Sequence, residues 1–140
     1  MPPMITGIAH VCIGCTDLAA VERFYCKCLG FTKRFDFIKG EKVIGFYLQV
    51  ASNMFLEFFQ ADSVPAGGSP IRHICLETDD IDGVIARLQA HGYQVGEKKM
   101  GCDHSLQVWA GNAPDGVEIE FHQYSPESCQ LTGQPCQVNW

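Results

Sequence analysis

His10, Glu57, His73 and Glu120 are the residues of this chain whose types and spacing could do chemistry. Each histidine stands in a short apolar run, "IAHVC" at 8–12 and "IRHIC" at 71–75. Each glutamate follows its histidine by 47 residues, in "LEFFQ" at 56–60 and "IEFHQ" at 119–123. A charged carboxylate among such neighbours is costly unless it is paired or bound to a metal. Two imidazoles and two carboxylates make a donor set suited to one divalent first-row ion: nickel, cobalt, zinc, manganese or iron. Four ligands in an octahedral shell leave two positions for water or for adjacent oxygens of a substrate. Such an ion can chelate an α-hydroxycarbonyl compound and, as a Lewis acid, stabilise the enediolate left when the α-proton departs. Isomerisation and epimerisation of such compounds share that step.

The elements that must position these residues are duplicated. At an offset of 63, Ile8, His10, Cys12 and Asp17 fall on Ile71, His73, Cys75 and Asp80. A histidine and a glutamate repeating in register within similar apolar strings mark an internal duplication. Each copy begins with a strand, at about 5–14 in the first. Thr16-Asp17 and Asp79-Asp80 offer helix N-caps. Leu18, Val21, Tyr25, Cys28 and Leu29 then follow at helical spacing, as do Ile81, Val84, Ile85 and Leu88. Gly30 and Gly92 close the two helices. Three short strands are predicted after each helix, at about 31–38, 43–50 and 53–60, and at 93–98, 104–110 and 116–122.

The expected fold class is therefore α+β, with two tandem βαβββ modules forming a cup-shaped, mostly antiparallel sheet with helices outside. Its parts are module 1 (about 5–60), linker 61–70, module 2 (about 71–123) and tail 124–140, within one domain covering 1–140. Strand parity sorts the faces. Ala9, Val11 and Ile13 point away from His10, Leu56 and Phe58 from Glu57, and Ile119 and Phe121 from Glu120. The apolar side receives the helices, and the four polar side chains share the other.

Composition narrows the function classes. A chain of 140 residues, 46 % hydrophobic and 19 % charged, can bury a proper core. Its net charge of −6, with scattered basic residues, argues against nucleic acid or an anionic membrane as partner. Apolar runs are strand-sized and no signal-peptide pattern is visible, so a cytoplasmic protein is expected. The eight cysteines then read as reduced thiols used as small apolar residues. Cys12 and Cys15, three apart on a strand, face opposite sides and cannot share a zinc. Cys129 and Cys136 in the tail are expected to be exposed and open to oxidation.

"GIAHVCIGCTDLAAVERFYCKCLGF" resembles the opening of the vicinal oxygen chelate superfamily, and "PDGVEIEF" resembles its closing metal-ligand motif. The likeness spans nearly the whole chain except the tail. Within that superfamily, the set His10, Glu57, His73 and Glu120 is most similar to bacterial glyoxalase I. Extradiol dioxygenases and fosfomycin-resistance enzymes usually show two His and one Glu. Methylmalonyl-CoA epimerases generally carry Gln at the Glu57 position, and bleomycin resistance proteins lack the set.

The resemblance implies a metal-dependent lyase or isomerase holding one divalent ion per site. It also implies that a ligating glutamate carries the proton, Glu57 and Glu120 being the candidates and Glu120 the sharper motif match. It further implies a homodimer, with sites shared between chains. Other readings in the same superfamily are a non-catalytic small-molecule (antibiotic) binding protein, an epimerase or a dioxygenase. The chain lacks the "YN"-type segment after Glu57 and the first-strand Arg that hold glutathione, which points to a different small oxygenated carbonyl compound.

Three further residues are candidates for supporting roles. His122 and Glu118 share the strand face of Glu120 and could orient it, and His104 could act as an acid, a base or a substrate contact. Arg72 reads as a surface charge, and Trp109 and Trp140 as packing residues.

Overall fold

The computed structural model describes residue 8 and residues 10–63 and 73–136. Ala9, Arg72, Trp140 and most of the linker lie outside the described residues. The chain divides into two compact units, Met1–Gly67 and Gly68–Trp140. The fold class is α+β, and each unit holds its own four-stranded sheet.

The first unit runs β1 (His10–Cys15), a helical segment, β2 (Thr32–Lys39), β3 (Lys42–Ala51) and β4 (Met54–Gln60). Its sheet order is β1-β4-β3-β2, with β1 parallel to β4 and the other pairs antiparallel. The second unit runs β5 (Ile74–Glu77), a helix at Ile81–Ala90, β6 (Lys99–Met100), β7 (Ser105–Ala110) and β8 (Ile119–Tyr124). The order is again first, last, third, second: β5-β8-β7-β6, with β5 parallel to β8. The duplication read from the sequence is thus a duplication of topology.

The helices form where the caps are. Asp17 accepts hydrogen bonds from the backbone N–H groups of Ala19 (2.9 Å) and Ala20 (3.2 Å), starting α1 at Leu18–Val21. Asp80 accepts one from Gly83 N–H (3.0 Å), starting α2 at Ile81–Ala90. Gly30 (φ 86°) and Gly92 (φ 82°) follow the helix ends in the left-handed region that glycine adopts without strain. The duplicated glutamines tie last strand to helix start, Gln60 donating to Thr16 O (3.4 Å) and Gln123 accepting from Ile81 N–H (2.9 Å).

Parity holds where it can be seen. Leu56, Phe58, Ile119 and Phe121 are buried, as are Val21, Tyr25 and Cys28 of the first helix and Ile81 and Leu88 of the second. Cys12 is exposed and Cys15 buried, so the two thiols do face opposite sides.

Local details differ from the expectations. After α1 the helix widens into a π-helix over Glu22–Cys28, with Leu29 N–H donating to Phe24 O, five residues back. That widening buries Phe24 beside Tyr25. The strand expected at 93–98 is reduced to a single bridge, Val95↔Ala110, before β6. From there to the Lys99↔Gln107 pair, one side spends four residues and the other three, so the ladder is bulged. Gly96 and the charged run after it supply no alternating pattern to hold a strand there. β7 starts at Ser105 because His104 takes a positive φ of 64°. β8 starts later than expected because a 3-10 turn occupies Pro114–Gly116. The tail adds a short helix, α3 (Cys129–Thr132), and Cys129 is half-buried rather than exposed. No helix among the described residues is long and apolar enough to cross a membrane.

Gly45 shows how closely β3 passes β4. It lies opposite Phe59 across that pair. A Cβ there would collide with the Phe58 carbonyl oxygen and come 2.8 Å from Cδ1 of the Phe59 ring. Gly45→Ala should therefore destabilise the protein by about 1–3 kcal/mol through overpacking, read as a lower denaturant midpoint. An unchanged midpoint would show that β4 yields freely there.

Candidate metal centre

Parallel pairing of first and last strands brings the two motifs of each unit together. Cys12 lies opposite Glu57, and His10, two residues earlier, projects on the same face. His10 Nε2 stands 3.6 Å from Glu57 Oε1. In the second unit Cys75 lies opposite Glu120, and His73 Nε2 stands 3.5 Å from Glu120 Oε1. The same pair is therefore built twice, with nearly the same separation. Donors bound to one first-row ion at roughly 2.0–2.2 Å stand about 3–3.5 Å apart, so each pair is close to a ligand spacing. The glutamate side chains are 15 % and 9 % exposed and the histidines 35 % and 39 %, so the carboxylates lie deeper.

Aromatic rings steady both histidines. Tyr47 lies opposite Glu57 on β3, and its hydroxyl is 2.6 Å from His10 Nδ1. With Nδ1–H donating to that hydroxyl, the Nε2 lone pair faces Glu57. Trp109 lies opposite Glu120 on β7 and packs edge-on to His73, ring centres 4.8 Å apart. Phe55 and Phe35 pack in turn on Tyr47.

His122 makes the second pair different from the first. Its Nε2 lies 3.2 Å from Glu120 Oε1, buried and without a hydrogen-bond partner. Its Nδ1 lies 3.3 Å from Ser105 Oγ, whose hydroxyl donates to Asp103 Oδ1 (2.8 Å). A Ser105 hydroxyl already donating to Asp103 can only accept from His122 Nδ1–H. The bare Nε2 of neutral His122 then faces a carboxylate oxygen, acceptor against acceptor. A cation, or a shared proton, relieves that arrangement, and the donor chemistry of the site fits a divalent ion.

Asp103 anchors this relay. Burial would raise its pKa, but hydrogen bonds from Gln130, the Ser105 side chain and the Ser105 backbone outweigh it and hold the carboxyl below its usual range. Both thiols on the site face are pushed the other way. Partial burial, then Glu57, raises Cys12. Partial burial, then the charge of Glu120, pushes Cys75 up to about 12.

The predicted residues are thus sorted. His10 meets Glu57, His73 meets Glu120, and His122 reaches Glu120 as well. Glu118 is exposed, precedes β8 and lines a hollow with Trp109 and Asn112. His104 is exposed, while its backbone carbonyl accepts from Ser125 Oγ (2.7 Å) and Ser128 Oγ (3.0 Å).

Sequence reasoning missed Tyr47, which cross-strand register alone identifies, and placed Trp109 in packing, although it touches His73. It also treated the thiols of the two histidine strands as filler. Yet Cys75, Glu120 and His122 offer ligand atoms all within 4.8 Å of one another. The matching of Cys12 to Cys75 in the repeat was the available signal.

Comparison with known proteins agrees with the fold. The model of the Glyoxalase/Bleomycin resistance protein/Dioxygenase superfamily matches residues 7–121. The uncharacterised protein YaeR of Escherichia coli (strain K12) is 27 % identical over 128 residues, covering 83 % of this chain and 95 % of that protein. A glyoxalase family protein of Enterococcus faecalis superposes with a TM-score of 0.73 at 27 % identity, covering 86 % of this chain and 99 % of the other. TnmS3, an antibiotic binding protein from Streptomyces sp. CB03234, shares the fold with a TM-score of 0.72 at 24 % identity, over 88 % of this chain and 99 % of its own.

The Tyr47 contact can be weighed by removing one atom. Tyr47→Phe leaves the ring packing and deletes the partner of His10 Nδ1. Divalent-ion affinity, measured by competition with a chromogenic chelator, should fall about 10–100-fold with the thermal midpoint of the metal-free protein nearly unchanged. Unaltered affinity would mean that His10 needs no orienting partner.

Proposed function

This chain belongs to the Glyoxalase/Bleomycin resistance protein/Dioxygenase superfamily, and on that premise we propose a divalent-metal-dependent isomerase or lyase of glyoxalase I type. Its substrate is a small α-hydroxycarbonyl-like compound. One observation carries this reading: the His–Glu pair recurs at 3.6 and 3.5 Å in the two units. His10, Glu57, His73 and Glu120 would hold the ion. When bound, the ion supplies Lewis-acid polarisation of the substrate's neighbouring oxygens.

The chain's own residues do the rest. Glu120 takes the α-proton and returns it to the adjacent carbon. It suits the role because its motif match is the sharper of the two glutamates and because the His122–Ser105–Asp103 chain of polar groups stands beside its carboxylate. Glu57 sits under aromatic cover and serves as the steadier ligand. Tyr47 and Trp109 keep the imidazoles turned toward their carboxylates.

Elemental analysis of protein purified without added metal tests the first half of this reading. About one divalent ion per chain, removable by chelator, is expected. Glu120→Gln should retain the fold, bind the ion more weakly and lose turnover of hydroxycarbonyl substrates by a factor of about a hundred or more. Full activity in that variant removes the assignment. A protein that stays free of metal yet binds an aromatic antibiotic would instead favour a non-catalytic binding role.

We also propose a homodimer whose sites draw one His–Glu pair from each of two chains. His10→Ala and His73→Ala are each expected to be inactive. Mixed under conditions of subunit exchange, they should regain activity, because one site of each mixed dimer is intact. Demonstrated exchange without recovery rejects sharing between chains and leaves the ligand assignment standing.

A further inference from the structure

The turn between β6 and β7 and the end of the tail bring two thiols into contact. Cys136 Sγ lies 3.2 Å from Cys102 Sγ, donating to it. Both cysteines line a hollow of about 410 Å³ in the second unit, together with Asp103, Gln107, Glu120 and His122. We propose that Cys102 and Cys136 form a reversible disulfide that ties the tail across the mouth of this hollow, with a hydroperoxide as the oxidant.

Several bonds hold the partners in place. Gly101 N–H donates to Ser105 O (2.9 Å) and His104 N–H to Gly101 O (3.0 Å), which shapes the turn that carries Cys102. The tail is fastened to that same turn. Cys129 N–H donates to Asp103 O (2.9 Å), Gln130 Nε2 to Asp103 Oδ2 (2.7 Å), and Ser125 and Ser128 hydroxyls to His104 O. Gly133, with φ 74°, then ends α3 in a left-handed turn, after which the chain brings Cys136 against Cys102. The 34-residue separation in sequence is therefore already closed in the folded state. Cys129, although nearer to the turn in sequence, is half-buried with its backbone committed to Asp103. Cys136 is exposed and open to attack.

The chemistry balances with the oxidant named. The thiolate of one cysteine attacks a peroxide oxygen, the O–O bond breaks, and a sulfenic acid and one water (or alcohol) result. The second thiolate attacks the sulfenic sulfur, the S–S bond forms and a second water leaves. Two thiols and one peroxide give one disulfide and two waters. A small dithiol returns both protons and electrons to the sulfurs by exchange.

The bridge is independent of the metal reading, so its test uses metal-free protein. One equivalent of hydrogen peroxide on the reduced full chain should lower the intact mass by 2 Da and protect two thiols from alkylation, both effects reversed by dithiothreitol. Residues 101–140 contain no Lys or Arg, so trypsin cannot separate the three candidate cysteines. Cleavage after Glu127 and Leu131 does separate them, and the peptide with Cys102 should be joined to the peptide with Cys136. Cys102→Ser and Cys136→Ser should each abolish the 2 Da loss, whereas Cys129→Ser should keep it. In the oxidised form the tail after Leu131 should remain attached after proteolysis until dithiothreitol is added. A join through Cys129, a bridge that survives Cys136→Ser, or oxidation that stops at mixed sulfenic and sulfinic acids would each overturn the proposal.

Discussion

Everything at the candidate centre depends on one backbone pairing: the first strand of each unit lies parallel to its last. Strands joined in an antiparallel meander are neighbours in sequence, and such neighbours could not bring residues 47 positions apart into contact. The helix carries the chain back over the sheet, so that β1 meets β4 and β5 meets β8. A side-chain period of two then puts histidine, cysteine and glutamate on one face and the apolar residues on the other. A slip of one residue would bury the histidines under the helices and expose Leu56 or Ile119. The buried aliphatic face therefore protects the register of the polar one.

The polar face pays for its placement in different ways in the two units. His10 packs edge-on to Tyr47, which also offers it a hydrogen bond and stands opposite Glu57. Glu120 is more deeply covered, and a chain of polar groups runs from it through His122 and Ser105 to Asp103. Asp103 is in turn held by the tail through Gln130. The duplication preserved the His–Glu spacing while the surroundings diverged. Repeat position 59/122 shows this most plainly: phenylalanine in the first copy, histidine in the second.

The sequence made legible those features that repeat or alternate. The offset of 63, the helix caps at Asp17 and Asp80, the closing glycines and the buried faces of β4 and β8 all rest on repeating or alternating patterns, and the structure has them. The π-helix after Val21 was not legible, because its register depends on which aromatic rings the sheet admits. The shortened strand near 95 was overread: Gly96 and the charged run after it already broke the alternation, while the bulge itself shows only in the pairing with β7. Tyr47 and Trp109 became visible only once cross-strand register was known, being opposite Glu57 and Glu120. Glu118, placed on the site face by alternation, lies just before β8 and lines a hollow with Trp109.

The tail had no counterpart in the repeat and so no reading from internal comparison, yet its bonds converge on one place. Ser125 and Ser128 both donate to the carbonyl of His104, a residue held at positive φ. Gln130 occupies the second oxygen of Asp103, leaving the first for Ser105. Without that division of labour Asp103 could turn away, and the Ser105 hydroxyl would be free to donate to His122 instead of accepting from it. The bare nitrogen would then move from Nε2 to Nδ1, and the acceptor pair at Glu120 would disappear. Through Asp103 the tail thus acts on the centre, by fixing which way a proton points two side chains away.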